Sequence, residues 1–254
     1  MCESSTWSGP PESLLLQPGE VHVWRLELKQ PEDVLENFRS TLESDELQRA
    51  GRFHFEKDRR HFVVARGFLR TVLGRYLNVK AAALRFSYSG YGKPALNGEH
   101  KNSRLRFNMS HSHGVALLAL TEDKQIGVDV EFIRADFASE EIAQRFFSRV
   151  EVDCFNALSK EEQVAAFFRC WTRKEAYIKA TGLGLSYPLD AFDVTLAPGE
   201  QAALLRAEDD DATRWSLIDL FAGKDYAAAL AVAGSISNVR CWQFSGEHES
   251  HSNT

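Results

Sequence analysis

Three acidic residues stand where the sequence predicts carboxylates with limited access to water. Asp129 and Glu131 lie two residues apart in the segment IGVDVE, 126–131, in which apolar residues alternate with them. This alternation predicts a strand with one apolar face and both carboxylates on the other, about 7 Å apart between Cα atoms. At that separation each carboxylate raises the pKa of the other unless a cation is present.

Glu175 occupies an apolar position in a helix predicted over residues 160–179. Apolar residues recur there at alternating steps of four and three, and position 175 belongs to the same series. The other members of the series are Val164, Phe168, Trp171 and Ile178. A lone charge withdrawn from water is costly, so an inward carboxylate is normally protonated, ion-paired or bound to a metal.

Together the three acids indicate a site for a hard divalent cation. Oxygen ligands favour magnesium or manganese over zinc, and magnesium usually binds a substrate phosphate as well. Simpler interpretations stay open. An Asp-x-Glu pair on a strand is often a solvated sheet face, and Glu175 could form an ion pair with Lys179, four residues later.

Cations and a histidine lie near these acids in the sequence. Lys174 and Lys179 flank Glu175, and such a mixture suits a metal-bound pyrophosphate, whose charge neither metal nor lysine neutralises alone. Ser110 and His111 end an alternating strand at 105–110. A histidine there could donate to phosphate oxygens or act as a base, although a Ser-His pair is more often part of an ordinary turn.

Two further segments could contact an anion. In the turn SGYGKP, 89–94, Gly92 permits a ligand to approach the backbone and Lys93 supplies a charge. Arg59, Arg60 and His61 crowd the start of the first long helix, where free amides and the helix dipole favour an anion. A simple loop and a solvated helix end explain the two segments equally well.

The elements that must position these residues repeat faintly along the chain, as two units of one long helix followed by three strands. The helices cover 57–76 and 160–179, and the strands cover 84–87, 105–110, 115–121, 192–196, 215–220 and 226–233. We infer a duplicated α+β unit, and such units often form a ligand site at their interface. The predicted divisions are a loose N-terminal tail at 1–18, an N-terminal half at 19–123, a C-terminal half with the metal ligands at 124–244 and a frayed C-terminus at 245–254.

Composition excludes several classes of protein. The 254 residues, 44% hydrophobic and 26% charged, suit a soluble protein of one large or two small domains, and the net charge of −6 argues against a general nucleic-acid binder. No basic leader opens the chain and no apolar run could cross a bilayer, so we expect a cytoplasmic protein without a membrane partner. The four cysteines lack metal-type spacing.

These motifs together resemble a 4′-phosphopantetheinyl transferase of the Sfp type, the long form made of two similar halves. The matching segments are GKPAL at 92–96, FNMSHSHG at 107–114, IGVDVE at 126–131, RFFS at 145–148 and WTRKEAYIKATGLGLS at 171–186. The resemblance spans most of the chain in the family's order. It implies an α/β sandwich-like pseudo-dimer, in which each half packs a helix against a small antiparallel sheet, and a monomer whose site lies between its own halves.

The resemblance also implies the reaction. Phosphopantetheine passes from coenzyme A to a serine of an apo acyl, peptidyl or aryl carrier protein, with release of adenosine 3′,5′-bisphosphate. The cofactor is Mg²⁺, and the ligand set also suits Mn²⁺. Carriers of fatty-acid, polyketide and nonribosomal peptide synthesis all present such a serine, so the pathway stays open.

Residue roles follow from the same resemblance. Asp129, Glu131 and Glu175 become the metal ligands, and we expect Glu175 to accept the serine proton. Contacts to the coenzyme A phosphates fall to Lys174, Lys179 and His111, with Ser110 beside them. The adenine-side loop consists of Gly92, Lys93 and Pro94, and the candidates for the 3′-phosphate are Arg49, Arg59, Arg60 and His61. A basic and apolar surface for an acidic carrier helix is expected at Arg145, Phe146, Phe147 and Arg149.

Two other functions compete with this one. A metal-dependent 3′→5′ exonuclease also places Asp-x-Glu on a strand, but it needs further acids from a helical motif that is not seen here. A non-catalytic module that binds coenzyme A or a carrier protein has no need of three inward carboxylates. Binding that does not depend on magnesium would favour the module.

Overall fold

The computed structural model describes residues 7–90, 92–184 and 186–245. Its helices are α1 (Glu32–Ser40), α2 (Ser44–Ala50), α3 (Glu56–Leu77), α4 (Glu140–Phe146), α5 (Arg149–Ala157) and α6 (Lys160–Thr181). The strands are β1 (Glu20–Glu27), β2 (Arg85–Tyr88), β3 (Pro94–Asn97), β4 (Leu105–Ser112), β5 (Val115–Glu122), β6 (Ile126–Phe132), β7 (Phe192–Val194), β8 (Leu204–Ala207), β9 (Trp215–Asp219), β10 (Tyr226–Ala233) and β11 (Asn238–Gln243).

Two sheets carry most of the strands. The first has the order β11-β1-β5-β4, with β11 parallel to β1 and the other neighbours antiparallel. The second has the order β6-β10-β9 and is antiparallel throughout. Two hairpins, β2-β3 and β7-β8, are separate. The predicted α+β class is confirmed.

The two sheets pack face to face, and each carries a long helix on its outer side. Alternate residues of β1 and β5 join those of β6 and β10 in one apolar core between the sheets, for example Val23, Leu117, Val128 and Leu230. The opposite faces pack on α3 in a second core and on α6 in a third. This layering is how strands with apolar residues on both faces bury both of them.

The long predicted elements are present, with ends that differ by one or two residues. The shorter helices α1, α2, α4 and α5 were not predicted, because seven to nine residues contain too few periods of an apolar repeat to stand out. In the described part of the chain, none of the helices combines the length and the apolar character that a membrane crossing needs.

The ends of the chain depart from the predicted divisions. β11 pairs with β1, so a division at 19–123 and 124–244 does not separate the two sheets completely. The described part of the tail predicted to be loose is held in place: the Trp7 indole donates to the Phe221 carbonyl at 2.6 Å, and Ser8 forms a bridge to Trp242. Of the C-terminal segment predicted to fray, residues 246–254 lie outside the described residues.

Helix α6 begins and ends at recognisable signals. Ser159 and Glu162 form a capping box at its start, and Gly182 ends it in the left-handed conformation at φ +76°. The predicted single apolar stripe is only part of its burial, because residues 172–178 are buried all round. The second half of the helix lies between the second sheet and the segments that follow α4, so both sides of it are covered.

Candidate active site

The close approach of α6 to β6 depends on Gly127. A Cβ built at this position would lie 2.1 Å from the Ala176 carbonyl oxygen and 2.4 Å from the Ala180 amide nitrogen. Both are backbone atoms that cannot swing aside, so only glycine lets the helix lie this close. Asp129 follows on the same face of β6, and the electrostatic coupling of its carboxylate to Glu175 shows that the helix brings the two acids together.

Side chains of β4 join the edges of the two sheets. β4 and β6 lie beside each other as the edge strands of different sheets. The Asn108 side-chain oxygen accepts a hydrogen bond from the Val128 amide at 2.9 Å. The seam between the two sheets is therefore closed by side chains at alternate positions of β4.

The next two alternate positions of β4 hold the acids of β6. Ser110 Oγ donates to Asp129 Oδ1 at 2.9 Å, and Ser112 Oγ donates to Glu131 Oε2 at 2.9 Å. Each carboxylate thus has a hydroxyl donor from the opposite sheet. These bonds orient one oxygen of each carboxylate toward β4.

Lys179 supplies the nearest positive charge. Its Nζ lies 2.6 Å from Asp129 Oδ1 and 2.9 Å from Ser110 Oγ. The other oxygen of Asp129, Oδ2, is buried and has no hydrogen-bond partner among the described residues. A buried carboxylate oxygen without a donor is costly and indicates a place for a further cation or water.

The negative charge of Asp129 acts on the two glutamates of the site. Burial raises the pKa of Glu175 to about 7, and the negative charge of Asp129 adds to the effect while Lys179 opposes it. Burial and the charge of Asp129 also raise the pKa of Glu131. The site therefore holds more negative charge than Lys179 neutralises.

The chemistry of this site fits a magnesium ion. It offers hard carboxylate oxygens, of which Asp129 Oδ2 has no donor within the described ranges, and the ammonium of Lys179 already lies beside Asp129 as a counter-cation. The described residues nevertheless contain no ready-made cluster of three His, Cys, Asp or Glu side chains in metal-binding geometry. Asp129, Glu131 and Glu175 would have to turn toward a common ion to hold it together.

His111 lies on β4, the strand that the first sheet contributes to the seam. Desolvation lowers its pKa, and the positive charges of Lys179 and His61 lower it further. The coupling to His61 shows that the start of α3 approaches β4 here. At pH 7 the His111 ring is therefore neutral, with one nitrogen able to donate and the other able to accept.

Comparison with known proteins identifies the family. Residues 125–231 match the family described as the 4′-phosphopantetheinyl transferase superfamily, and residues 29–123 match the N-terminal region of 4′-phosphopantetheinyl transferases. The chain is 42% identical over 239 residues to the 4′-phosphopantetheinyl transferase HetI of a Nostoc species, covering 94% of this chain and 98% of the relative. It is 33% identical over 169 residues to Sfp of Bacillus subtilis, covering 66% and 73%.

The chain belongs to the 4′-phosphopantetheinyl transferase superfamily. It is a transferase of the kind that makes holo-carrier proteins, and the resemblance to the Sfp type is confirmed. A third relative, the 4′-phosphopantetheinyl transferase psf-1 of Bacillus pumilus, is 32% identical over 193 residues, covering 76% of this chain and 79% of that protein.

The predicted adenine-side loop of the transferase lies beside the start of β6 and the end of α6. Gly92 has φ +78° and open space where a side chain would be, and Pro94 begins β3. The Lys93 side chain turns inward, and its Nζ donates to the carbonyl oxygens of Ile126 and Lys179. Lys93 thus reaches both of the elements that carry the acids.

The basic residues predicted for the 3′-phosphate lie on α2 and the first turns of α3. Arg60 pairs with Glu32 of α1 at 2.7 Å, and Arg59 pairs with Glu56 of its own helix. The Arg49 guanidinium lies 5.4 Å from the centre of the Phe62 ring. Their role toward a phosphate stays a prediction.

Lys174 does not lie with the other predicted phosphate contacts. It is fully buried, its Nζ lies 2.7 Å from Glu151 Oε2, and it also donates to the carbonyl oxygens of Leu189 and Phe192. All three hydrogens of the ammonium are used in these bonds. Residues 174 and 175 are neighbours on a helix and face different directions, so only Glu175 reaches the seam.

The sequence prediction missed three parts of the site. Ser112 and Asn108 continue the alternation that already included Ser110, so the period of β4 was a usable signal for both. Gly127 alternates in the same way with Asp129. A glycine at that position of a strand indicates the close approach of another backbone.

Proposed function

We propose that the transferase moves the 4′-phosphopantetheine group of coenzyme A to a serine of an apo carrier protein in a Mg²⁺-dependent reaction, releasing adenosine 3′,5′-bisphosphate. The observation that carries the proposal is the surplus of negative charge at the seam. Burial and repulsion by Asp129 raise the pKa of Glu175 to about 7, and Oδ2 of Asp129 has no hydrogen-bond donor among the residues that the structure describes. This arrangement is costly unless a ligand supplies positive charge.

Asp129, Glu131 and Glu175 would hold the ion, which would supply charge neutralisation for a pyrophosphate. Manganese would fit the same oxygen ligands. A divalent cation beside Glu175 would lower the pKa of its carboxyl group, so that the group is ionised at neutral pH.

The residues around the acids have matching roles. Lys179, whose side chain is partly open to solvent, and the neutral His111 would donate to phosphate oxygens. The Gly92–Pro94 loop would receive the nucleotide, because no side chain at position 92 blocks its approach. Glu175 would take the proton of the carrier serine, which makes the hydroxyl a better nucleophile. The phosphoryl group then moves to the serine oxygen as its bond to the bisphosphate breaks.

We also propose a docking surface for the carrier next to α5. Arg145, Arg149 and Val150 are exposed, and the last two line a cavity of about 540 Å³. The carrier helices they would meet are acidic. Phe147 was predicted to belong to this surface, but it is buried and packs on Phe167 at 5.2 Å between ring centres. The surface therefore presents one aromatic side chain fewer than predicted.

The experiment is to incubate the purified protein with coenzyme A, Mg²⁺ and a panel of apo carriers, and to record the intact mass of each carrier. We expect one phosphopantetheinyl group to be added, and the addition to stop on chelation. Glu175→Gln should lower turnover by about 10²- to 10⁴-fold. Glu161→Gln, an exposed glutamate in the first turn of the same helix, is the matched control and should change nothing.

No mass gain on any carrier, with coenzyme A still bound, would instead support a binding module. Near-normal turnover of Glu175→Gln would remove the proposed proton acceptor. The double substitution Arg145→Glu/Arg149→Glu should raise KM for the carrier and leave KM for coenzyme A unchanged. The site lies between two halves of one chain, which supports a transferase that works as a monomer.

A further inference from the structure

The amine of Lys93 lies at a junction of three elements. Its Nζ donates to the Ile126 carbonyl of β6 at 3.2 Å and to the Lys179 carbonyl near the end of α6. Lys93 itself belongs to the turn between β2 and β3. One side chain therefore ties a hairpin of the N-terminal half to the helix and the strand that carry the acids.

Within residues 7–90, 92–184 and 186–245, the acceptors of this amine are backbone oxygens. Among the described residues, no carboxylate forms an ion pair with Lys93, and burial alone lowers its pKa to about 8. The amine is thus still protonated at pH 7. The carbonyls at the end of a helix bear partial negative charge, which stabilises a cation placed there.

The two carbonyls lie close in the chain to the residues of the Lys179–Asp129 ion pair. The residue whose backbone accepts from Lys93 on α6 is Lys179, and its side chain binds Asp129 and Ser110. The residue that accepts on β6 is Ile126, three positions before Asp129. Holding these two carbonyls at a fixed separation also fixes the separation of the ammonium of Lys179 and the carboxylate of Asp129.

We propose that Lys93 is a positioning residue: its amine holds the end of α6 close to the start of β6, and this places Lys179 beside Asp129. The amine is therefore not a phosphate ligand. The inference rests on the proposed transfer from coenzyme A. Two of the three hydrogens of the amine are already bonded to carbonyls. The side chain is also directed beneath the helix end rather than out of the loop.

A double-mutant cycle tests the proposal. The variants are Lys93→Met, Lys179→Met and the two combined, and the measured quantity is kcat for carrier modification. Lys93→Met should lower kcat by about 10- to 100-fold, the size of effect that a misplacement of about 1 Å produces. If Lys93 acts through Lys179, the double variant loses no more than Lys179→Met alone. Losses that multiply would overturn the proposal.

A second donor separates positioning from phosphate binding. Dephospho-coenzyme A lacks the 3′-phosphate, so the ratio of kcat/KM for the two donors reports contacts to that phosphate. Lys93→Met should leave the ratio at its wild-type value, whereas a ratio moved toward one would identify Lys93 as a ligand of the 3′-phosphate. Lys101→Met is the control, because Lys101 is exposed on the same cavity of about 470 Å³.

A measurement without turnover distinguishes failure of this inference from failure of the proposed function. Amide hydrogen exchange in the last turn of α6 should be at least several-fold faster in Lys93→Met than in the wild type, even if no carrier is ever modified. Unchanged exchange would show that Lys93 does not hold the end of α6 in place. Should Lys93→Met fail to fold, Lys93→Gln keeps a donor without the charge, and the same cycle and exchange measurement apply to it.

Discussion

Helix α6 carries two lysine–carboxylate pairs that are alike in distance and opposite in setting. Lys174 Nζ lies 2.7 Å from Glu151, and both side chains are almost completely buried. Lys179 Nζ lies 2.6 Å from Asp129, but the lysine side chain is 29% exposed. The two lysines are five residues apart, which is about 1.4 turns of helix, so each faces a different part of the protein.

The first pair is completely satisfied. Besides binding Lys174, the Glu151 carboxylate accepts from the amides of Ser148 and Val194, each at 2.8 Å. It thereby caps α5 and holds the end of β7. Nothing is left over for a ligand, and this is the pattern of a structural ion pair.

The second pair is incomplete. One oxygen of Asp129 has no donor in the part of the chain that the structure describes, and Glu131 and Glu175 add negative charge beside it. Distance and burial of the acid alone would not have told the pairs apart. What distinguishes them is whether the remaining oxygens and hydrogens have partners, because unsatisfied groups are retained where a ligand completes them.

Removal of Lys174 should lower the stability of the protein and leave its ligand binding unchanged. Lys174→Met leaves Glu151 buried without its cation, so we expect the free energy of unfolding to fall by about 3–5 kcal/mol in urea titrations. Lys174→Met/Glu151→Gln should recover much of this loss. The affinity of the folded protein for coenzyme A, measured by calorimetry, should hardly change. A large loss of that affinity with normal stability would restore Lys174 as a phosphate contact.

The incomplete site should cost stability when no metal is present. The pKa of Glu175 is raised from 4.5 to about 7. Because the folded state then holds the proton more tightly, the contribution of this group is most favourable below pH 4.5 and falls as pH rises to 7. At pH 8 with a chelator, Glu175→Gln should therefore unfold at a higher urea concentration than the wild type. Its free energy of unfolding should be larger by on the order of 2–3 kcal/mol.

The difference in free energy of unfolding between Glu175→Gln and the wild type should become smaller at pH 4.5. It should also become smaller on addition of Mg²⁺, which stabilises only the wild type strongly. Equal stability of the two proteins at pH 8 would show that the acids are already neutralised in the metal-free protein.

Gly127→Ala should disturb only the face of α6 that bears Glu175. The added methyl group meets backbone atoms at 2.1 and 2.4 Å, so the helix must move away from β6. We expect a loss of about 1–3 kcal/mol in stability together with a fall in kcat. Gly51→Ala is the control, because its new Cβ would meet only ordinary contacts at 3.5 Å or more. Full activity of Gly127→Ala would mean that the close approach is not needed.

Magnesium affinity should depend on pH through Glu175. Below pH 7 the ion must displace the proton of this carboxyl group, so affinity should rise by about tenfold from pH 6 to pH 8 and then level off. Calorimetry in two buffers of different ionisation enthalpy should detect about one proton released at pH 6. Glu175→Gln should flatten this dependence. An affinity independent of pH in the wild type would exclude Glu175 as a ligand.

Local patterns in the sequence predicted the α+β class, both long helices, the strands that flank the site and the grouping of three acids. Alternation of period two and apolar steps of three and four are local properties, and burial on one face is enough to produce them. The family resemblance rests on motifs that are likewise contiguous in the chain. Short helices left no comparable signal.

Only the tertiary structure decided which polar groups satisfy one another. Lys174 and Lys179 look alike in the sequence, and the distant Glu151 and Asp129 give them different roles. The bonds of Lys93 to two backbone carbonyls, like the place of β11 in the first sheet, join segments that are far apart along the chain. The sequence by itself determined which side chains could do chemistry, because period and residue type are written locally. Packing decided which of them remain unsatisfied, since the partners come from other elements.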